Sequence, residues 1–219
     1  MKVGISVVYH CSQEFRPNGN ELIEAFCDSA KSITYPFQIY AFDNESVIKT
    51  DKLNQSYVEV ERVENQLLRG VTGPWNDGIK KAIDDSCDII ICSSDDVILN
   101  ETFNKFIYQI STHEHNKVGL YGPLSNGILG GVQKQDGPIE QTLEVTNKYK
   151  INGFTFGFTR DFYNKFKMKN GNLLNEEKYP WGGQEEELQN RTWPNGARSF
   201  VLGSCWLFHH KIRGWKVHV

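Results

Sequence analysis

The sequence predicts an α/β fold: a doubly wound, mainly parallel sheet with helices on both faces. Three observations carry that expectation. Residues 88–99 read Asp-Ile-Ile-Ile-Cys-Ser-Ser-Asp-Asp-Val-Ile-Leu. The apolar run Ile89-Ile-Ile-Cys92 inside it, bounded by polar residues, is a short strand buried on both faces, as a parallel sheet covered by helices requires. Strand and helix patterns over the first 120 residues or so follow the order β-α-β-β-α-β-α-β, which implies crossover connections and a doubly wound sheet. The buried strand then runs straight into Asp95-Asp96, so two adjacent carboxylates sit at the carboxyl end of a central strand, where open α/β sheets bind their ligands.

Residues 3–9 form the first strand, and Asn20 caps a helix to about residue 32, with Leu22, Ile23, Phe26 and Ala30 at helical spacing. Residues 37–42 are the second strand, ending at Asp43-Asn-Glu-Ser46. Residues 57–63 alternate polar and apolar, as a more exposed strand does. Residues 70–75 are a loop with Pro74 at the first position of a helix that runs to about residue 85. Asn100 caps the helix that follows the acidic pair, and a strand covers residues 117–121. Residues 124–150 read as a long loop. Ile151-Asn-Gly-Phe-Thr-Phe-Gly-Phe158 is a strand with glycines where something approaches its backbone. A short helix over 161–166, a solvated lysine-bearing loop over 165–175, a turn at 179–183 and a helix over 184–193 come next. A last strand over 199–208 leads to His209-His210 and a basic, aromatic tail. No repeat or linker divides the chain, so residues 1–219 are expected to form one domain.

Composition narrows the function. A net charge of −3 gives no electrostatic footprint for nucleic acid. The cysteines, Cys11, Cys27, Cys87, Cys92 and Cys205, are scattered and form no Cys-x-x-Cys pair, which argues against a zinc site or a disulfide framework. Reduced thiols suit a cytoplasmic location. The first ten residues read as a strand rather than a signal peptide, and no stretch is long enough for a transmembrane segment.

Acidic residues mark three strand ends or helix starts: Asp43, the Asp95-Asp96 pair and Glu185-Glu-Glu187. Two carboxylates forced together repel unless something positive lies between them, and a hard divalent cation that also binds phosphate is the natural candidate. No P-loop, Gly-x-Gly-x-x-Gly or Gly-x-Ser-x-Gly motif is present. Each acidic point also has a structural explanation: Asp43 as a turn former, the acidic pair as solvated turn residues, the glutamates as a helix start that suits the dipole.

Four segments resemble the GT-A fold glycosyltransferases of the large family 2 type, which use nucleotide-sugar donors. They are Val-Gly-Ile-Ser-Val-Val-Tyr-His10 with Ala-Phe-Asp-Asn-Glu-Ser46, and Trp-Asn-Asp-Gly-Ile-Lys-Lys-Ala82 followed by Asp-Ile-Ile-Ile-Cys-Ser-Ser-Asp-Asp-Val97. The others are Ile-Asn-Gly-Phe-Thr-Phe-Gly-Phe-Thr-Arg160, and Trp-Gly-Gly-Gln-Glu-Glu-Glu-Leu188 with Arg191 and Gly196. The resemblance spans most of the chain. It departs at Ser93, where many members have the first aspartate of an Asp-x-Asp metal motif, and at Gln184-Glu185, where Glu-Asp is usual.

The resemblance implies a nucleotide-sugar-binding half over residues 1–123 and, over residues 124–219, an acceptor-binding and catalytic-base half with a smaller subsheet. It implies a metal-dependent, inverting, single-displacement transfer to a hydroxyl of a glycan or glycoprotein, with Mn2+ or Mg2+ as cofactor. Tyr9, Asp43, Arg69, Asn76 and Asp95 would bind the nucleotide; Asp96 and His209, with His210 its rival, the metal; Trp181, Gly183 and Glu186 the acceptor. Glu185 would be the base, with Glu186 as its fallback; successive helical residues are rotated by about 100°, so only one of them can point into the cleft. Uridine diphosphate is the expected nucleotide, because a carboxylate such as Asp43 can accept the uracil N3–H. Trp75, Trp181 and Phe154 are candidates to stack on sugars or to pack the core. A nucleotidyltransferase and a non-catalytic carbohydrate-binding module are the alternatives.

Overall fold

The computed structural model describes residues 1–64, 66–113, 118–127, 131–146 and 149–210. In chain order the elements are β1 (Val3–Tyr9), α1 (Gly19–Ser29), β2 (Phe37–Asn44), β3 (Val58–Val63), α2 (Gln66–Arg69), α3 (Thr72–Asp84), β4 (Ile89–Ser94) and β5 (Val97–Ile98). They continue with α4 (Thr102–Thr112), β6 (Gly119–Ser125), β7 (Thr142–Val145), β8 (Thr155–Thr159), α5 (Arg160–Phe166), α6 (Gln184–Thr192) and β9 (Arg198–His209). The expected strand start at Lys117 and the basic tail after His210 lie outside the described residues.

The strand order is β3-β2-β1-β4-β8-β6-β9-β5, with β7 also on β9. From β3 to β4 every pairing is parallel. Beyond β4 the sheet is mixed: β8 is antiparallel to both β4 and β6, β6 and β9 are parallel, and β5 and β7 are antiparallel to β9. The parallel half thus carries the doubly wound pattern, and β8 is wedged between β4 and the strand that follows α4.

The apolar run of β4 works as its composition requires. Ile89 and Ile91 enter one core with Phe26 of α1 and Phe103, Phe106 and Ile110 of α4. Ile90 and Cys92 enter the other, with Ile79 of α3, Phe162 of α5 and Leu188 of α6. Alternate side chains point to opposite faces of a strand, so a continuous apolar run feeds two cores.

Several local expectations shift. The first helix begins at Gly19, and Asn20 does not cap it: its amide donates to Ile48 O at 3.4 Å. Only glycine fits that start, since a Cβ there would lie 1.9 Å from His10 O. Pro74 occupies the third position of α3 rather than the first, and there its missing N–H is still one of the helix's orphan donors. Glu101, not Asn100, is the N-cap of α4; Asn100 lies one residue before it, and its side chain accepts from the Thr102 N–H at 2.9 Å. The segment 124–150 contains the end of β6 and all of β7, while residues 128–130 and 147–148 lie outside the described residues. The segment 165–175 is not simply solvated: Leu173 and Leu174 are fully buried.

Candidate active site

At the end of β4 the chain turns through Asp95 and Asp96, each only 3% exposed, before β5 begins. The loop after β1 folds back through a backbone pair between Ser12 and Arg16 and delivers the Arg16 guanidinium to Asp95, Nη2 to Oδ1, at 2.5 Å. The other oxygen, Oδ2, is buried without a hydrogen-bond partner. Burial pushes the Asp95 carboxyl up to about 7; Arg16 opposes the shift and the neighbouring Asp96 adds to it.

Asp96 behaves differently. Burial pushes its carboxyl up, but the hydrogen bond and charge of His209, with Arg16 behind them, outweigh it and hold the group below its usual range. His209 Nε2 donates to Asp96 Oδ1 at 3.1 Å, the only polarity an ionised carboxylate allows. The two-residue pairing of β5 with β9 sets Val97 opposite His209. The imidazole lies nearly parallel to the Phe154 ring, centroids 5.4 Å apart, and the His209 N–H donates to Asn126 Oδ1 at 2.8 Å. His210 is exposed, its ring edge-on to Phe208. Strand alternation therefore sends His209, not its neighbour, towards the acidic pair.

The opposite wall comes from the start of α6. Gly183 precedes the helix with φ +80°, a left-handed turn that suits glycine. Glu185 Oε1 then accepts the Gly153 N–H at 3.1 Å. A Cβ at residue 153 would sit 2.8 Å from the Glu185 carboxyl carbon, so this strand-edge glycine makes room for the carboxylate. Burial raises the Glu185 carboxyl above its ordinary value, the Gly153 bond opposing. Glu186 turns outward to Lys150 at 2.6 Å, and Glu187 pairs with Arg191 at 2.8 Å.

A cleft of about 320 Å³ joins the two walls; Arg16, Asp95, Asp96, His209, Trp181 and Glu185 are among the residues that line it. Trp75 and Phe154 also reach it, but they are 4% and 3% exposed and pack mainly as core, whereas Trp181 is partly exposed.

Other expected site residues lie elsewhere. The Asn76 amide is committed to the strap between α5 and α6, residues 167–183, donating to Leu174 O and accepting from its N–H, both at 2.9 Å. Arg69 grips Asp77 with two bonds, 2.6 and 3.0 Å, and reaches Glu176 at 3.4 Å. Both were expected at the nucleotide; neither is among the residues that line the cleft, and both hold separate parts of the chain together. Glu186, expected at the acceptor, faces Lys150 and solvent instead. Tyr9 is buried at the end of β1 and does not line the cleft. Asp43 is also buried outside it; it accepts the Ser46 N–H at 2.8 Å and pairs with Arg62 at 2.9 Å. Arg16 was not expected. Its only sequence signal is a lone arginine in the loop after the strand that neighbours β4.

Asp96 and His209 suit a divalent cation that displaces the proton shared between them: a hard carboxylate oxygen and an imidazole nitrogen stand 3.1 Å apart at the rim of a cleft, beside a buried, unpaired Asp95 oxygen, and His209 Nε2 would give up its proton to bind. Among the described residues no three His, Cys, Asp or Glu side chains converge on a metal-sized point. A cation held by two protein groups and completed by phosphate oxygens and water follows the pattern of magnesium-type sites.

No protein-family model and no curated protein matches the chain. Solved structures do. S. aureus TarS 1-349 superposes with a TM-score of 0.67 at 16% identity, over 95% of this chain and 60% of that one. The same protein in complex with UDP-GlcNAc gives 0.65 at 19% identity, over 98% and 60%. GalNAc-T7 with UDP, GalNAc and Mn2+ gives 0.66 at 16% identity, over 100% and 45%. The chain therefore has the GT-A fold of these glycosyltransferases, and it spans 45% to 60% of the length of the structures it matches. Among the described residues no helix is long and apolar enough to cross a membrane.

Proposed function

We propose that this chain is a glycosyltransferase that moves a sugar from a nucleoside-diphosphate donor, with UDP-sugar the first candidate, to an acceptor hydroxyl with inversion. The observation that carries the reading is one cleft with two chemically distinct walls. Asp95, Asp96 and His209 stand on one side and a raised, singly directed Glu185 on the other. The fold shared with structures that hold UDP, UDP-GlcNAc and Mn2+ supports the donor class.

Asp96 and His209 would hold a Mn2+ or Mg2+ ion, which neutralises the leaving diphosphate. Asp95, with Oδ2 unpaired, suits the ribose hydroxyls. Glu185 takes the proton of the acceptor hydroxyl as that oxygen attacks the anomeric carbon. The sugar–diphosphate bond breaks on the opposite side, so one carboxylate and direct attack give inversion. Trp181 offers the acceptor sugar an aromatic face at the cleft rim. Asp43, at the end of β2, supports a uracil reading only through its remaining lone pairs, since Ser46 and Arg62 already use both oxygens.

Release of UDP from a panel of UDP-sugars, with Mn2+ and simple glycan acceptors, tests the proposal. Turnover by the wild type and its loss in Glu185→Gln are expected. UDP binding with no sugar transfer or hydrolysis would identify a carbohydrate-binding module instead, and pyrophosphate release from a nucleoside triphosphate would identify a nucleotidyltransferase.

A further inference from the structure

The walls of the cleft come from different parts of the chain, and one short stretch joins them. The strap that leads into the Trp181–Glu185 wall is held by α3 and the turn before it. Asn76 binds both backbone groups of Leu174 and also donates to Glu176 at 3.0 Å. Further along, Pro180 O accepts the Val71 N–H at 2.9 Å and the Thr72 N–H at 3.1 Å. The Thr72 hydroxyl lies 2.5 Å from Tyr179 O and 3.1 Å from Pro180 O. Gly70, with φ +57°, lets this happen: a Cβ there would lie 2.0 Å from Pro180 O. The same α3 packs on β1, β2 and β4, the strands whose ends carry Asp43 and the acidic pair. Gly70 O in turn accepts from Asn44, next to Asp43, at 3.0 Å.

We infer that Thr72 is a positioning residue that fixes the acceptor-side wall, Trp181 to Glu185, against the donor-side wall. The inference rests on the glycosyl-transfer reading above. Thr72 is fully buried, and Pro180, which it grips, directly precedes Trp181. Its hydroxyl is spent on the Tyr179 and Pro180 carbonyls. It locks the backbone one residue before the aromatic face and five before the candidate base. Transfer needs the acceptor oxygen, the anomeric carbon and Glu185 aligned together; donor binding needs only the opposite wall. Loosening the strap therefore lowers the rate of transfer and leaves donor affinity in place.

Thr72→Val keeps the side-chain shape and removes the hydroxyl, while the two N–H bonds to Pro180 O remain. In steady-state assays with a UDP-sugar, Mn2+ and an acceptor, kcat for transfer should fall about tenfold or more, since small misplacements remote from the chemistry are costly. Donor KM should hold within about twofold, the signature of an interaction not used in donor binding. The share of UDP released by hydrolysis rather than transfer should rise, and Thr72→Ser should restore wild-type behaviour. Wild-type kcat and partition in Thr72→Val would overturn the inference, as would a loss of donor affinity in step with kcat. Hydrogen exchange reads the clamp without any reaction: amides of residues 176–183 should exchange faster in Thr72→Val, with β1 and β4 unchanged. Unaltered exchange in that segment overturns the clamp even if the wild type transfers no sugar; an absence of transfer by the wild type counts against the functional reading alone.

Discussion

At the scale of single residues, the chemistry of the cleft turns on how burial and neighbours sort three carboxylates. Asp95 is pushed up and tied to a guanidinium, Asp96 is held down by an imidazole, and Glu185 is raised by burial against its own backbone N–H and that of Gly153. A general base works only when deprotonated, so kcat/KM should rise with pH through the Glu185 pKa. Because burial raises that pKa, the acid limb should lie above the ordinary glutamate range. A pH profile of the wild type checks this; an acid limb at or below the usual value would remove Glu185 from the role. Glu185→Gln preserves shape and removes the acceptor, and transfer should fall by about 10²-fold or more with UDP affinity unchanged in calorimetry. The placement of Asp95, Asp96 and Glu185 at a strand end and a helix start was legible in the sequence, because a short buried strand and a helix start each have a local pattern; the roles proposed for them came from the resemblance. Arg16 was not, since nothing local distinguishes an arginine that reaches a residue 79 positions away from one in solvent. Asn76 and Arg69 show the converse: their pattern suggested a ligand, and the structure gives them protein partners that the pattern did not reveal, Leu174 at 98 positions for Asn76 and Asp77 at 8 for Arg69.

At the scale of elements, hydrophobic periodicity carried most of the fold. β1, β2 and β4 declare themselves through apolar runs, and α1, α3 and α4 through one apolar face each. What periodicity cannot show is adjacency. Nothing in Thr155–Thr159 says that β8 pairs with β4 rather than at the edge of the sheet, and β7 is only four residues long with two exposed side chains. The strap after α5 looks soluble because lysines and asparagines dominate it, yet its two leucines are core and its backbone is paired by a side chain from α3. That pairing has a measurable consequence. Asn76 is 1% exposed, and Asn76→Ala leaves the Leu174 N–H and C=O buried without their partners. The expected loss in unfolding free energy is about 2–4 kcal/mol, the desolvation cost of two orphaned backbone groups. Urea denaturation measures it; a loss under about 0.5 kcal/mol, the level of an ordinary surface substitution, would show that water or a rearranged strap replaces the amide. Gly153→Ala tests a second contact between elements. The added methyl collides with the Glu185 carboxylate, so transfer should fall while the melting temperature moves little, because the displaced group is a side-chain end rather than core.

At the scale of the whole molecule, the charges of the cleft give the proposed cation its reason. The chain has net charge −3, and the cleft that would take a diphosphate is lined by Asp95, Asp96 and Glu185, with Arg16 already paired to Asp95. No glycine-rich phosphate loop follows β1, and the loop there is used to deliver Arg16. A diphosphate entering this cleft alone meets like charge in a partly desolvated site, where repulsion is poorly screened. A Mn2+ ion held at Asp96 and His209 would offset that negative charge. A ligand that binds only the folded state stabilises it by RT ln(1 + [L]/Kd), about 2.7 kcal/mol at a hundred times Kd. UDP without metal should therefore barely move the melting temperature, Mn2+ alone should move it slightly, and the two together should raise it by several degrees. Asp96→Asn keeps the size of the side chain and removes its charge, so it should retain the unliganded melting temperature to within a few degrees and lose the metal-dependent part of the UDP shift. The measurement is a thermal-shift matrix of UDP against Mn2+ and chelator for both proteins. Equal stabilisation by UDP with and without Mn2+ would mean that Arg16 leaves Asp95 to neutralise the phosphates itself, and a metal-dependent shift that survives in Asp96→Asn would move the cation away from Asp96.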